Sequence, residues 1–236
     1  MPRAANPNIE LTEIAVARLG ALADEMVFLG GCATGLLITD PLAPPIRATN
    51  DVDVICEVAS LLDYQRLSKR LRMQGLREDR DPDAPICRWR AQGMVLDVMP
   101  TSPEILGFGN PWYRPAFAAA MRTELPSGKV IRMVSAPYFL ATKFAAFDGR
   151  GRGDYTASHD LEDIVAVLDG RPELVQEVRQ SESALRDHLE SRFVDLLKEA
   201  RFLDALPGHM PGDEASQARV PKIIARLKAI AERVNE

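Results

Sequence analysis

Met26-Val27-Phe28-Leu29-Gly30-Gly31, followed by Thr49-Asn50-Asp51-Val52-Asp53-Val54, decides the fold. In a β-strand residues i and i+2 share a face, so Asp51 and Asp53 project from one side of a strand together. Carboxylates held a few ångströms apart repel, and one pKa rises. Divalent cations between them remove that cost, and hard cations such as Mg²⁺ take carboxylate oxygens. Met26–Leu29 reads as a buried strand running into Gly30-Gly31. Two glycines let backbone N–H groups approach a phosphate closely at the start of the following helix. A phosphate cradle beside a metal-binding strand is equipment for phosphoryl or nucleotidyl transfer.

Each piece alone has a bland meaning. D-x-D pairs are common on exposed strands, and Gly-Gly is most often a turn. Their order, from apolar strand through Gly-Gly and helix to D-x-D in a second apolar run, is more specific. Met94-Val95-Leu96-Asp97-Val98-Met99 adds a lone aspartate inside a third apolar strand. Burying it is expensive unless it is paired, hydrogen-bonded or bound to metal.

Working outward, the spacing predicts an amphipathic helix over 9–24, a strand over 26–29, a helix over 31–38 and a strand over 51–57. Ser60 reads as the N-cap of a helix reaching about residue 74. Strands at 86–91 and 94–99 meet at the tight turn Ala91-Gln92-Gly93-Met94, and a hairpin is expected about Pro126-Ser127-Gly128. From 136 onward the pattern is helical. The class is therefore α+β, with a mixed β-sheet flanked by helices in 1–135 and a helical region in 136–236.

With 236 residues, 46% of them hydrophobic, the chain can bury a proper core. Its formal net charge of −5 argues against nucleic acid over the whole surface but allows a local basic groove. Cys32, Cys56 and Cys87 are too scattered for a disulfide framework or a zinc site, so buried reduced thiols and a cytoplasmic location are expected. The first residues show no signal-peptide pattern, and no window approaches the ~20 apolar residues of a membrane span.

In the helical region Lys143 has two readings: an exposed lysine on an amphipathic helix, or a point charge for a triphosphate. Arg150 and Arg152 on a glycine-punctuated loop are placed to touch a phosphate. Asp160 with Asp163 fits a capped helix start, and His159 beside them is read as structural. Arg219, Lys222 and Arg226 share one helix face, either as a solvated stripe or as an RNA-backbone contact.

Taken together, Gly30-Gly31, Thr49-x-Asp51-x-Asp53 and the strand aspartate Asp97 resemble the DNA-polymerase-β-type nucleotidyltransferase superfamily. Within it, the spacing and Arg47-x-Thr49 resemble the AbiEii/AbiGii toxin-type nucleotidyltransferases of bacterial defence and toxin–antitoxin systems. That group carries a helix lysine, an arginine-containing turn and an Asp-x-x-Asp helix after the core. Lys143, the turn Gly149-Arg150-Gly151-Arg152-Gly153-Asp154 and the helix start at Asp160 and Asp163 match these in turn.

The resemblance implies a nucleotidyltransferase core in 1–135, with 136–236 completing the nucleotide site. Asp51, Asp53 and Asp97 would hold two Mg²⁺ ions, or Mn²⁺ in their place. Gly30, Gly31, Thr34, Lys143 and Asp160 would bind the nucleoside triphosphate. RNA, at the tRNA 3′ end, is the implied acceptor, and an antitoxin protein the implied partner. Two departures stand out. Gly31 replaces the serine often found after the first glycine, leaving Thr34 to supply a hydroxyl one helical turn later. An insertion over 38–46 is either a lid or a surface excursion. The same aspartates would serve a small-molecule or protein adenylyltransferase, and a nucleotide- or partner-binding module without turnover is the alternative of another class. A Rossmann-type reading of Gly30-Gly31-x-x-x-Gly35 lacks the G-x-G-x-x-G spacing.

Overall fold

A computed structural model describes residues 6–150 and 153–232. The protein is α+β, and its described residues form two compact units, one from 6–36 and 47–135, the other from 37–46 and 136–232.

The first unit is built on a mixed seven-stranded sheet. Its strands are β1 Met26–Leu29, β2 Asp51–Cys56, β3 Arg77–Glu78, β4 Arg88–Ala91, β5 Met94–Pro100, β6 Met121–Glu124 and β7 Val130–Met133, in the order β3-β4-β5-β2-β1-β7-β6. β2 runs parallel to β5 and β1 parallel to β7, and the other neighbours are antiparallel. Residues paired directly across strands share a face, so the register divides the sheet. Val52, Val54, Leu96, Val98, Trp89, Phe28 and Met133 lie on one face and are buried. Asp51, Asp53, Asp97, Arg88, Arg132 and Arg122 lie on the other.

Helices α1 Pro7–Leu19, α2 Gly31–Leu37, α3 Leu61–Met73 and α4 Tyr113–Ala118 pack with this sheet. On α3, Tyr64 donates its hydroxyl hydrogen to the Val98 carbonyl (3.0 Å) and so lies against the sheet. Ser60 caps α3, accepting from the Asp63 N–H. On α4, Tyr113 donates to the Met99 sulfur, placing that helix on the face of Asp97.

Two local expectations need correction. The helix expected over 9–24 stops at Leu19, because Gly20 adopts φ +56° and a 3₁₀ segment, Gly20–Glu25, follows. Left-handed backbone of that kind ends an α-helix, and glycine adopts it without a Cβ penalty. The edge strand β3 was not foreseen: both its residues are exposed and charged, so no alternation marks it.

The second unit holds α5 Ala136–Arg150, α6 His159–Gly170, α7 Leu174–Arg179, α8 Ser183–Lys198, α9 Ala200–Ala205, α10 Glu214–Gln217 and α11 Val220–Ala231. α5 is its central helix, with Phe139, Leu140, Ala141 and Phe144 fully buried. Phe144 meets Phe193 of α8 edge-to-face, the rings 5.2 Å apart. Burying each such side chain contributes about 2–3 kcal/mol. α11 buries Ile223, Leu227 and Ile230, a spacing of one helix face, against α8 and α6.

The insertion 37–46 belongs to this helical unit. The Thr39 and Asp40 N–H groups both donate to the Gly170 carbonyl at 2.9 Å. A Cβ on Gly170 would lie 2.5 Å from Ile38 Cγ2, so the close approach requires glycine. Arg219 donates to both Asp169 oxygens at 2.8 Å and to Asp40 at 2.6 Å, while Lys222 reaches Asp40 at 3.3 Å. Arg226 donates to the Leu168 and Asp169 carbonyls at the C-terminal end of α6. The expected basic stripe is therefore a correction as well: Arg219 and Arg226 are committed to anions and a helix terminus inside the unit, and are not a solvated or RNA-facing row.

Hydrogen bonds from Arg219 hold the Asp40 carboxyl at about 2, below its ordinary 3.8. This stabilisation is fully present above pH 4 and is lost as pH falls through about 2. In an Arg219→Met variant, Asp169 is left buried without its partner. We expect urea unfolding to show about 3 kcal/mol less stability, and carboxyl-carbon NMR to show the Asp40 midpoint rising toward 3.8.

Candidate active site

β2 starts at Asp51, and its alternation leaves Asp51 and Asp53 partly exposed between the fully buried Val52 and Val54. The parallel register sets Asp53 directly beside Asp97 of β5. The antiparallel β4–β5 hairpin sets Arg88 directly beside Asp97 on the other side. Arg88 donates from Nε to Asp97 Oδ1 (2.8 Å) and from Nη2 to Asp97 Oδ2 (2.7 Å), a bidentate fork. Its Nη2 also lies 3.3 Å from Asp51 Oδ2. These hydrogen bonds hold the Arg88 proton more tightly than usual. On its other oxygen Asp51 accepts a bond from the Thr49 hydroxyl at 2.7 Å.

Gly30 follows β1 with φ +71°, a conformation that favours glycine. A Cβ there would lie 1.9 Å from Asp53 Oδ2, so the turn backbone presses directly on that carboxylate. A Cβ on Gly31, by contrast, would lie 3.2 Å from Thr49 and 3.4 Å from Arg47 Nη2. Asn8 joins these pieces from the start of α1. It donates to the Gly31 and Arg47 carbonyls at 3.1 and 3.2 Å and accepts from the Thr49 N–H at 2.9 Å, and it is buried. Thr34 points into the interior, and its hydroxyl has no hydrogen-bond partner among the described residues.

The partly exposed Asp51 and Asp53 suit a hard divalent cation in residue type and position. Asp97 is different, since Arg88 occupies both its oxygens. Among the described residues no group of three or more His, Cys, Asp or Glu is assembled around a metal position. For Asp97 to act as a third ligand, Arg88 must first swing away.

No protein-family model matches the chain, and no curated protein matches it.

Lys143 and Asp160 lie in the helical unit. Lys143 is almost fully buried, its ammonium 3.1 Å from Asp160 Oδ1 and 2.6 Å from Asp163 Oδ2. Arg150, itself exposed, forks onto Asp160 at 2.9 and 2.8 Å. Burial works to raise the Asp160 pKa, but the Arg150 hydrogen bonds and the Lys143 charge outweigh it and leave it lowered. Ser158, not Asp160, caps α6 by accepting from the Leu161 N–H, because Asp160 and Asp163 turn inward. His159 is exposed beside Glu162. Arg152 lies outside the described residues.

Cys32, Cys56 and Cys87 are free and buried. Burial pushes the Cys56 and Cys87 thiols up to about 12, so both are inert near neutrality. Among the described residues no helix is long and apolar enough to cross a membrane.

Arg88 and Asn8 were missed in sequence. Arg88 was within reach: counting back three residues on each side of the Ala91–Met94 turn places Arg88 opposite Asp97. Nothing local marks Asn8, whose partners are remote in the chain.

Asn8→Ala removes three hydrogen bonds and leaves buried backbone groups unsatisfied. A loss of about 2–3 kcal/mol in urea unfolding is expected. Lys143→Met removes the buried cation between Asp160 and Asp163 and should cost about 3–5 kcal/mol in the same measurement.

Proposed function

We propose that the protein is a metal-dependent nucleotidyltransferase of the DNA-polymerase-β type. The acceptor hydroxyl, on an RNA, attacks the α-phosphate of a nucleoside triphosphate, the bond from Pα to the bridging oxygen breaks, and pyrophosphate leaves. One observation carries the proposal: the left-handed Gly30 turn lies against Asp53 so closely that a Cβ would touch its carboxylate. A backbone with no side chain, set beside two same-face carboxylates, suits a ligand that is both phosphate and metal-bound.

In this function Asp51 and Asp53 hold Mg²⁺, or Mn²⁺ in its place. Bound divalent cations would polarise the α-phosphate and make the acceptor hydroxyl easier to deprotonate. The Gly30 and Gly31 N–H groups bind phosphate oxygens, and Asn8 keeps that turn and Thr49 in place. Thr49 orients Asp51 through its hydroxyl. Asp97, once released by Arg88, faces the acceptor side and accepts its proton. Residues of the sheet unit take these roles; Lys143 and Asp160, expected to bind the nucleotide, stand in an ion-pair cluster with Asp163 and Arg150. The toxin-type subgroup, the tRNA 3′ end and an antitoxin partner belong to the same proposal through the resemblance of Arg47-x-Thr49-x-Asp51-x-Asp53.

The Arg88 fork favours a second function: a nucleotide-binding module without turnover, with Asp97 permanently neutralised. One experiment separates the two. Purified protein is incubated with Mg²⁺, total bacterial RNA and each α-³²P-labelled triphosphate, beside an Asp51→Asn/Asp53→Asn variant. The enzyme should label an RNA band, and the variant should lose at least ~100-fold of that rate, the scale of a transition-state electrostatic contribution. Mg²⁺-dependent nucleotide binding without label on any acceptor would leave the silent module. Absence of nucleotide binding would exclude both.

A further inference from the structure

Arg88, Asp97 and Asp53 stand side by side in one cross-strand row, and the next place in that row is Leu29, which leads into the Gly30 turn. The two acids are therefore flanked by an arginine on one side and by the turn proposed to take phosphate on the other. At the spacing of neighbouring strands the row spans about 14 Å between its outer Cα atoms.

Arg88 meets its acids differently from the buried lysine of the helical unit. The Lys143 side chain is sealed in at 7% exposure, whereas Arg88 keeps 24% of its side chain open to solvent. Its bridge to Asp51 is long, at 3.3 Å, and its third nitrogen, Nη1, makes no hydrogen bond to a described residue. One side of the guanidinium can thus meet an incoming anion before the fork on Asp97 opens. Asp97 itself is nearly buried, and a buried carboxylate stripped of its partner is costly. If the pair parts, a cation must replace Arg88 at Asp97, and an anion must replace Asp97 at Arg88.

We propose that Arg88 is a gate on cation binding at Asp97, and that polyphosphate operates it. In the free protein the fork closes Asp97 to divalent cations, by engaging both oxygens and by setting a like charge beside them. A triphosphate reaching along the row from the Gly30 turn offers Arg88 phosphate oxygens, which suit the same bidentate fork. Release of Arg88 opens Asp97 to a hard divalent cation, so every charge stays paired through the exchange. A ligand moves such an equilibrium only by preferring one state, and here the preference is the pairing of phosphate with the released guanidinium. The proposal rests on the nucleotidyl-transfer function for the place of the triphosphate, while the exclusion of cations stands on the fork alone.

The test begins with Mn²⁺ titrations in the absence of nucleotide, read from the EPR signal of the free ion. Arg88→Gln should bind Mn²⁺ at least about tenfold more tightly than wild type, within the usual range of coupling between sites. Arg88→Gln/Asp97→Asn should lose that gain, because the gate acts through Asp97. Urea unfolding controls for the fold. Arg88→Gln should be less stable than wild type in EDTA, and saturating Mn²⁺ should restore more stability to it than it adds to wild type. A second measurement follows the Arg88 Nε–H resonance in ¹⁵N-arginine-labelled protein, assigned by its loss in Arg88→Gln. It should stay in place with Mg²⁺ alone and shift when inorganic tripolyphosphate is added with Mg²⁺. Unchanged or weaker Mn²⁺ binding by Arg88→Gln, a gain that survives Asp97→Asn, a variant that Mn²⁺ fails to stabilise, or a resonance that tripolyphosphate leaves in place would overturn the gate. If all the expected results are obtained while wild type labels no RNA, the gate stands and the transferase does not. If wild type labels RNA and Arg88→Gln gains no Mn²⁺ affinity, the transferase stands and the gate does not.

Discussion

Arg88 lies across the carboxylates of Asp97 and Asp51, and this compensation allows three acidic side chains to share the middle of one sheet face. Without it, parallel pairing of β2 with β5 would bring Asp53 beside an Asp97 stripped of its bidentate partner. Isolated charges in such a setting cost several kcal/mol each. The hairpin that places Arg88 opposite Asp97 is thus what makes an acidic centre compatible with a sheet whose reverse face is apolar at its central strands. It also engages both oxygens of Asp97, so a cation binding there would have to displace Arg88.

The same constraint shapes the helical unit. Lys143 stands between Asp160 and Asp163 with Arg150 closing over the outer oxygen edge. Arg219 stands between Asp169 and Asp40, and Arg226 satisfies carbonyls at the end of α6. In each case a nearly buried acid is met by a cation from another helix, and the pairing fixes how those helices lie on one another. The insertion 37–46 is held by this logic, since Asp40 is its anchor and Arg219 its receiver. Positive charge that looks available along α11 is in fact consumed internally.

The face bearing Asp51 and Asp53 therefore has an acidic centre, bridged from one side by Arg88 and bordered on the other by the Gly30 turn. That centre suits the proposed transfer chemistry, with cations and triphosphate beside the carboxylates. The opposite face, covered by α3 and sealed by Trp89, Leu96 and Val98, serves only stability.

Much was legible before any tertiary neighbour was known. Apolar runs at 26–29, 51–56 and 94–99 marked the central strands, Ser60 marked a helix start, and the spacing of Asp51 and Asp53 set both on one face. These are local properties, determined by backbone periodicity and capping chemistry within a few residues. Arg88 opposite Asp97 was within reach by counting from the Ala91–Met94 turn, but it was missed. What local pattern could not decide is which buried polar groups find each other across the chain. Asn8 meets Thr49 across 41 residues, and Arg219 meets Asp40 across 179. Whether Lys143 is exposed or buried, and whether Thr34 faces a ligand or the interior, depends on which helix face other elements cover. The sequence by itself determined the strands, their faces and the acidic centre; only the tertiary structure decided the charge partners, because burial raises the cost of an unpaired charge and so selects partners that lie far away in sequence.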